Sequence, residues 1–444
     1  MANPAAQITR AYDPAVESSA HKYMTDRLRT LRVVYAGTRA LVEQGEEFLP
    51  RYVKESHEKY LQRKKEARLR RNMFRQAVDR ITGRIFEVPT KLNPPDSSKA
   101  LSPEAEEIWL NADRKGKSFD RCARDLYKEA LKVGLMHVLV DYPVVEAANL
   151  AQERQAKARP YIVMLSPEQV IRCYEDEETG KIIHLAWMTH SVEYDKTLGQ
   201  EIVVRRVHER WPRMARTYVD RPSAPPSAVQ APGATNRAPG AGWQLEGVER
   251  VITIPGKEPD RIMFHTLYAE KEAHMIGRTP LTEVADLTID HFQITSEYRN
   301  ALKHNLFPIL TMTGVDDRQG EIVLGPETVL GSKNEKAQFK MLEHTGAAIE
   351  AGYKDLESLE QRAEAYAGRL TKPSGDVKAT TEAISSAEVS SFAKDMAQEL
   401  EDVLQAVVKD CATWYGVDAL GDVARHVGVE HGEGHEVEER GPEH

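Results

Sequence analysis

Four carboxylates, Glu283, Asp286, Asp290 and Glu297, recur at intervals of 3, 4 and 7 residues, the spacing that places side chains along one stripe of a helix. On a lone chain such a stripe is a solvated face. Repeated around a ring with the stripe inward, it would line a bore with negative charge that repels phosphates and keeps DNA from adhering. Further on, Arg369, Lys372 and Lys378 put positive charge in and beside a segment that carries Pro373 and Gly375, enough for transient phosphate contact. Asp316, Asp317 and Arg318 sit in a turn bounded by Gly314 and Gly320, a charged tip suited to docking a partner.

Catalytic patterns are absent. The nearest phosphate-loop candidate, Gly325 to Lys333, has one residue too many and reads Gly-Ser-Lys, and no GxGxxG, GxSxG or HExxH occurs. The one close histidine pair, His431 and His435, lies in an acidic tail and makes at most an adventitious metal site. No catalytic residue, metal or cofactor is expected, and the chain is not expected to be an enzyme. A metal-dependent nuclease assembled from distant carboxylates is the remaining catalytic alternative; surface charge accounts for those residues more simply.

The elements that position these residues follow from periodicity. Ser19 to Phe86 reads as helices broken at Gly37 and near Pro50. Its clearest stretch, Glu55 to Ile85, places Ala67, Phe74, Ala77, Val78, Ile81 and Ile85 on one stripe, opposite a basic face of Arg63, Lys64, Lys65, Arg68, Arg70, Arg71 and Arg75. That face reads as a solvated or subunit-facing surface, an interface candidate, before a nucleic-acid contact. A helix is expected over Phe119 to Lys132, then a buried strand over Val133 to Tyr142. Strands are expected over Tyr161 to Leu165, Ile182 to Thr189, Ile202 to Trp211 and Val248 to Ile254. Pro222 to Gly242 is Pro-, Ala- and Gly-rich and reads as a disordered insertion.

Thr279-Pro280 signals a helix start, with the helix running to about His304. Strand-like pieces follow at Phe307 to Thr313 and Glu321 to Leu324. A returning helix over Asp355 to Leu370 carries Leu356, Leu359, Ala363, Tyr366 and Leu370. After a loop, a last helix from Thr381 to Tyr415 bears a seam of Val389, Phe392, Met396, Leu400, Val403, Val407, Cys411 and Trp414. The tail after Gly428 reads as disordered.

Composition bounds the partners. With 444 residues, 41% hydrophobic and 29% charged, the chain is long and apolar enough for two or three folded domains. A net charge of -9 disfavours a protein that clamps DNA by neutralising phosphates. No apolar run approaches membrane-spanning length, no secretory signal opens the sequence, and three scattered cysteines form no metal or disulfide framework.

Certain strings resemble the phage portal proteins, in a branch catalogued only as a domain of unknown function. They are Gly37-Thr38-Arg39-Ala40-Leu41-Val42-Glu43, Phe48-Leu49-Pro50, Glu55-Ser56, Tyr60, Arg63, Asn72-Met73-Phe74 and Gly83-Arg84-Ile85-Phe86, with Gly134, Val140-Asp141-Tyr142-Pro143, Arg159-Pro160-Tyr161 and Ser166-Pro167-Glu168-Gln169. The likeness runs from about Tyr35 to Gly416.

The resemblance implies an α+β portal fold: a mostly helical wing with a β-rich region (19–279, after a flexible 1–18 and including the 222–242 insertion), a two-helix stem (280–305 and 353–370), a small α/β clip (306–352), a tunnel loop (371–380), a long wing-to-crown helix with a short crown (381–427) and a disordered acidic tail (428–444). It also implies a homo-oligomeric ring, usually dodecameric, at one capsid vertex. Such a ring serves as head-tail connector and channel for double-stranded DNA during packaging and ejection, and nucleates head assembly. Its expected partners are copies of itself, the terminase large subunit, the major capsid protein or scaffold, and head-completion or tail adaptor proteins, with no membrane. Its expected location is the virion, with the host cytoplasm during assembly. A helical scaffold that oligomerises through the 381–415 seam without enclosing a channel is the rival reading.

Overall fold

In the computed structural model the described residues are 12–95, 100–143, 158–196, 199–221, 242–254, 257–306, 309–313, 336, 338–342, 347–369 and 381–424. The chain is mixed helix and sheet. It divides into two compact units, one of Met1–Arg32, Gln76–Thr282 and Ala367–His444, the other of Val33–Arg75 and Glu283–Tyr366.

In chain order the helices are α1 (Ser19–Ala36), α2 (Thr38–Gln44), α3 (His57–Glu66), α4 (Met73–Ile85), α5 (Pro103–Leu110), α6 (Phe119–Val133), α7 (Thr282–Leu306), α8 (Ala347–Arg369) and α9 (Thr381–Tyr415). The strands are β1 (Lys91–Asn93), β2 (Leu135–Asp141), β3 (Tyr161–Leu165), β4 (Val170–Glu175), β5 (Ile182–Asp195), β6 (Gln200–Trp211), β7 (Met214–Asp220), β8 (Gln244–Leu245), β9 (Arg250–Val251), β10 (Phe264–Tyr268), β11 (Glu270–Ala273), β12 (Ile276–Arg278), β13 (Ile309–Thr313), β14 (Gln338–Leu342) and β15 (Asp422–Ala424).

The first unit is organised on α6 and β2. Ser118 caps α6 by accepting from the Arg121 backbone N–H, and Gly134 ends it in the left-handed region at φ 102°. Phe119, Cys122, Ala123, Leu126, Tyr127 and Ala130 are buried at helical spacing. Leu135 to Val140 are buried on both faces, as expected of the centre of the antiparallel sheet β10-β2-β3. Gly134 and Gly277 meet backbone to backbone: a Cβ on Gly134 would stand 2.8 Å from the Gly277 carbonyl, so neither position has room for a side chain.

A second antiparallel sheet runs β4-β5-β6-β7-β8, with β9 also paired to β7. The N-terminal arm crosses it. Arg172 donates to the carbonyls of Val16 (2.7 Å) and Pro14 (3.0 Å) and pairs with buried Glu209, which also accepts from the Tyr12 hydroxyl. The last helix, α9, buries Met396, Leu400, Leu404, Val407, Val408 and Cys411. Its buried Asp410 is held by Arg261 and by His265 at 2.7 Å. All three cysteines are buried and unbridged.

The second unit pairs α7 with α8 in opposite directions: His291 meets Glu360, while Tyr298 lies against Gly352. Between these helices β13 and β14 form an antiparallel pair, Ile309 opposite Leu342.

Several expected boundaries are corrected. The single helix expected over Glu55 to Ile85 is two helices. Ala67 leaves α3 with an extended backbone (ψ 131°), and the Asn72 side chain accepts from the Arg75 N–H, capping α4, while it donates to the Val34 carbonyl at 2.8 Å. The first long helix is regular from Thr282; ahead of it the Thr279 hydroxyl accepts from the Leu281 N–H at 3.2 Å, as a cap does, while donating to the Leu131 carbonyl at 2.6 Å. The returning helix starts eight residues before Asp355, at Ala347. Over Val248 to Ile254 the sheet resumes only as the two residues of β9 and a bridge from Ile254 to Lys257. The insertion at 222–241, the strand expected over Glu321 to Leu324 and the acidic tail lie outside the described residues.

Candidate functional site

Glu283, Asp286, Asp290 and Glu297 are all exposed on α7. At about 100° of turn per residue they fall within a sector of about 60°, and the helix carries them over about 21 Å. The buried residues Val284, Ala285, Thr288, His291, Phe292 and Thr295 occupy the opposite side. The carboxylate stripe therefore lies opposite the packed side of α7. Among the described residues none of the four carboxylates is engaged in an ion pair. Partial burial first, then the charges of Asp290 and Glu283, raise the Asp286 carboxyl above its ordinary pKa. Like charges three and four residues apart on a helix are mutually destabilising, so a folded chain carries this stripe at a cost.

The rest of the second unit fixes α7 from behind. The Phe74 N–H donates to the Thr288 hydroxyl at 3.1 Å, which itself donates to the Val284 carbonyl. Buried His291 contacts Glu360 on α8 at 3.1 Å, and Arg71 pairs with both Glu360 (3.3 Å) and Glu364. Burial holds His291 below its ordinary pKa, against the upward pull of Glu360. Near the end of α7, Lys303 pairs with Glu66 and Arg299 donates to the Glu66 carbonyl at 3.5 Å.

The basic run on α3 and α4 divides by function. Arg63, 7% exposed, grips Glu55 with two parallel bonds of 2.9 and 2.8 Å, donates to the Pro50 carbonyl at 2.6 Å and stacks on Tyr52 at 4.2 Å. Its guanidinium lowers the Glu55 pKa. Arg75 donates to the carbonyls of Tyr35 (2.8 Å) and Ala36 (2.9 Å). Arg63, Arg71 and, from an exposed position, Arg75 thus brace the chain, while Lys65, Arg68 and Arg70 are exposed. The Arg63–Glu55 brace and the His291–Glu360–Arg71 chain were not evident in sequence, because each joins residues at no helical interval.

Of the other expected site residues, Lys372, Lys378, Asp316, Asp317 and Arg318 lie outside the described residues; Arg369 closes α8, and its side chain is outside them too. Among the described residues no group of three or more His, Cys, Asp or Glu could hold a metal ion, and no helix is long and apolar enough to cross a membrane.

A family described as "Domain of unknown function (DUF4055)" matches residues 280–415, the span from the start of α7 to the end of α9. No curated protein matches. Among solved structures, a chain of the "Neck of native GTA particle computed with C12 symmetry" is 11% identical, with 79% of each chain covered and a TM-score of 0.36. A score of that size does not establish a shared fold.

Proposed function

We propose that this chain is one subunit of a homo-oligomeric ring at a capsid vertex of a tailed bacteriophage, the portal through which double-stranded DNA is packaged and later ejected. The observation that carries this reading is the uninterrupted acidic sector of α7. Four exposed carboxylates without cationic partners among the described residues lie opposite the buried side of α7. Two further features support it. The sequence resembles portal proteins along most of its length, and the family match covers the run of helix, strand pair, helix and long helix that would form stem, clip and the wing-to-crown helix.

In the ring, α7 turns its stripe to the passage. At physiological salt a charge is felt over about 8 Å, so a wall of carboxylates repels phosphates only when the duplex drifts toward it. DNA then slides without adhering, and the lysines of the 371–380 loop touch it transiently. No reaction is catalysed by this chain: the terminase motor docks at the clip and hydrolyses the nucleotide, and head-completion and tail adaptor proteins later take the same surface. The ring also nucleates assembly with the major capsid protein or scaffold.

Reversing Asp286 and Asp290 together to lysine tests the assignment. Both are exposed, so rings form as before, while the amount of nuclease-protected DNA per head falls. Normal packaging by this double variant would remove α7 from the bore.

A further inference from the structure

The loop before α3, α3 itself and the last turns of α7 enclose a cleft of about 450 Å³, all within the second unit. Four cations line it, Lys54, Lys59, Arg63 and Lys303, against two carboxylates, Glu55 and Glu66. Arg63 is spent on Glu55 and Lys303 on Glu66. Lys54 and Lys59 are left exposed with no acidic partner among the described residues, a local charge of +2. Tyr52 also lines the cleft and is partly exposed. A cleft in which two ammonium groups have no acidic partner among the described residues fits an acidic peptide.

We propose that the occupant is the C-terminal segment of a second copy of this chain. Residues 428–444 carry Glu430, Glu433, Glu436, Glu438, Glu439 and Glu443 against Arg440 alone, with Val437 in the middle of the densest run. Charge complementarity selects this segment: four cations against two carboxylates line the cleft, and the tail is strongly acidic. The inference rests on the ring reading. In the assembly each subunit's tail lies in the cleft of another, and the contact adds a salt-sensitive clasp between copies.

Zero-length cross-linking of the unmodified protein tests this. A carbodiimide joins a lysine amine to a glutamate carboxylate as an amide, with the water lost in that condensation taken up by the carbodiimide as a urea. Within the chain, Lys117–Asp125 (2.7 Å) and Lys181–Asp260 (2.6 Å) serve as internal controls. The expected result is a covalent dimer band whose peptides join Lys54 or Lys59 to a glutamate between 430 and 443. That band is lost in K54E/K59E and at about 1 M salt, where screening reaches about 3 Å. Particles of ring mass in which both control links form but no lysine of the cleft reaches the tail would overturn the clasp and leave the ring intact. A sample that stays monomeric by mass even with capsid protein added overturns the ring reading itself, and the clasp with it.

Discussion

Replacing Asp286 by asparagine should make α7 more stable, although the change removes a charge from an exposed position. Asp286 faces Glu283 three residues before it and Asp290 four residues after it. Each such like-charge pair on a helix costs about 0.2–0.5 kcal/mol, so losing both releases roughly 0.4–1 kcal/mol, while aspartate and asparagine differ little in helix propensity. The sign with pH follows from the raised pKa of Asp286: a carboxyl raised in the folded state opposes folding once ionised. The destabilisation is absent below the ordinary carboxylate range and reaches full size as pH rises through the raised value. The gain from D286N is therefore present at neutral pH and disappears on acidification. It also shrinks with salt, because the screening length falls from about 10 Å at 0.1 M to about 3 Å at 1 M, below the roughly 5–6 Å that separates such side chains. Hydrogen exchange of the α7 amides at neutral pH and low salt reads the effect as slowing by about two- to fivefold. Unchanged or faster exchange in D286N would mean that the stripe is not under mutual repulsion, and the argument that it is retained for a purpose would fail.

Three other substitutions probe the frame behind the stripe. Arg63→Ala strands buried Glu55 without its partner and should cost about 3–5 kcal/mol, seen as a large fall in thermal stability; lysine at this position, lacking the paired donors, should recover little. Gly134→Ala should cost about 1–2 kcal/mol for its left-handed backbone and about 1–3 kcal/mol more for the collision with Gly277. By contrast Gly180→Ala, equally left-handed but facing open space, should show only the first cost. Burial, with a smaller contribution from His274, lowers the pKa of His137 to about 3. The unfolded chain binds this proton near pH 6.5 and the folded one does not, so stability falls with acidification by up to about 1.4 kcal/mol per pH unit between those values. The loss of melting temperature from pH 7 to pH 5 should be smaller in His137→Asn than in the unaltered chain, and equal losses would refute the buried, neutral histidine.

Much of the frame was legible where a local signal and a tertiary demand agree. Ser118 and Gly134 bracket α6 as cap and stop, Tyr161 to Leu165 is a strand as its residues suggest, and the seam from Thr381 to Tyr415 gives the ends of α9. The helix α5 was overlooked although Ser102-Pro103 carries both a capping hydroxyl and a first-turn proline. The strands β4 and β7 were obscured because each carries a buried charge that only the fold neutralises, Arg172 against Glu209 and Asp220 against Arg205; a buried charge looks like a loop in one dimension. The break between α3 and α4 hides for a related reason. The apolar stripe continues across it, and only Asn72, one polar residue ahead of Met73, marks the new cap. For the site, the intervals among Glu283, Asp286, Asp290 and Glu297 give one stripe, but that the stripe lies opposite the buried side required the packing of α7 to be seen.

The central claim is that copies of this chain close around a hole. Particle mass and negative-stain images of the purified protein, at several concentrations and with capsid protein added where the chain alone stays monomeric, test it most directly. The account predicts closed rings with a central channel, of about 600 kDa if roughly twelve copies of the 50.0 kDa chain assemble. Discrete dimers, small bundles or filaments without a hole, persisting in the presence of capsid protein, would contradict it.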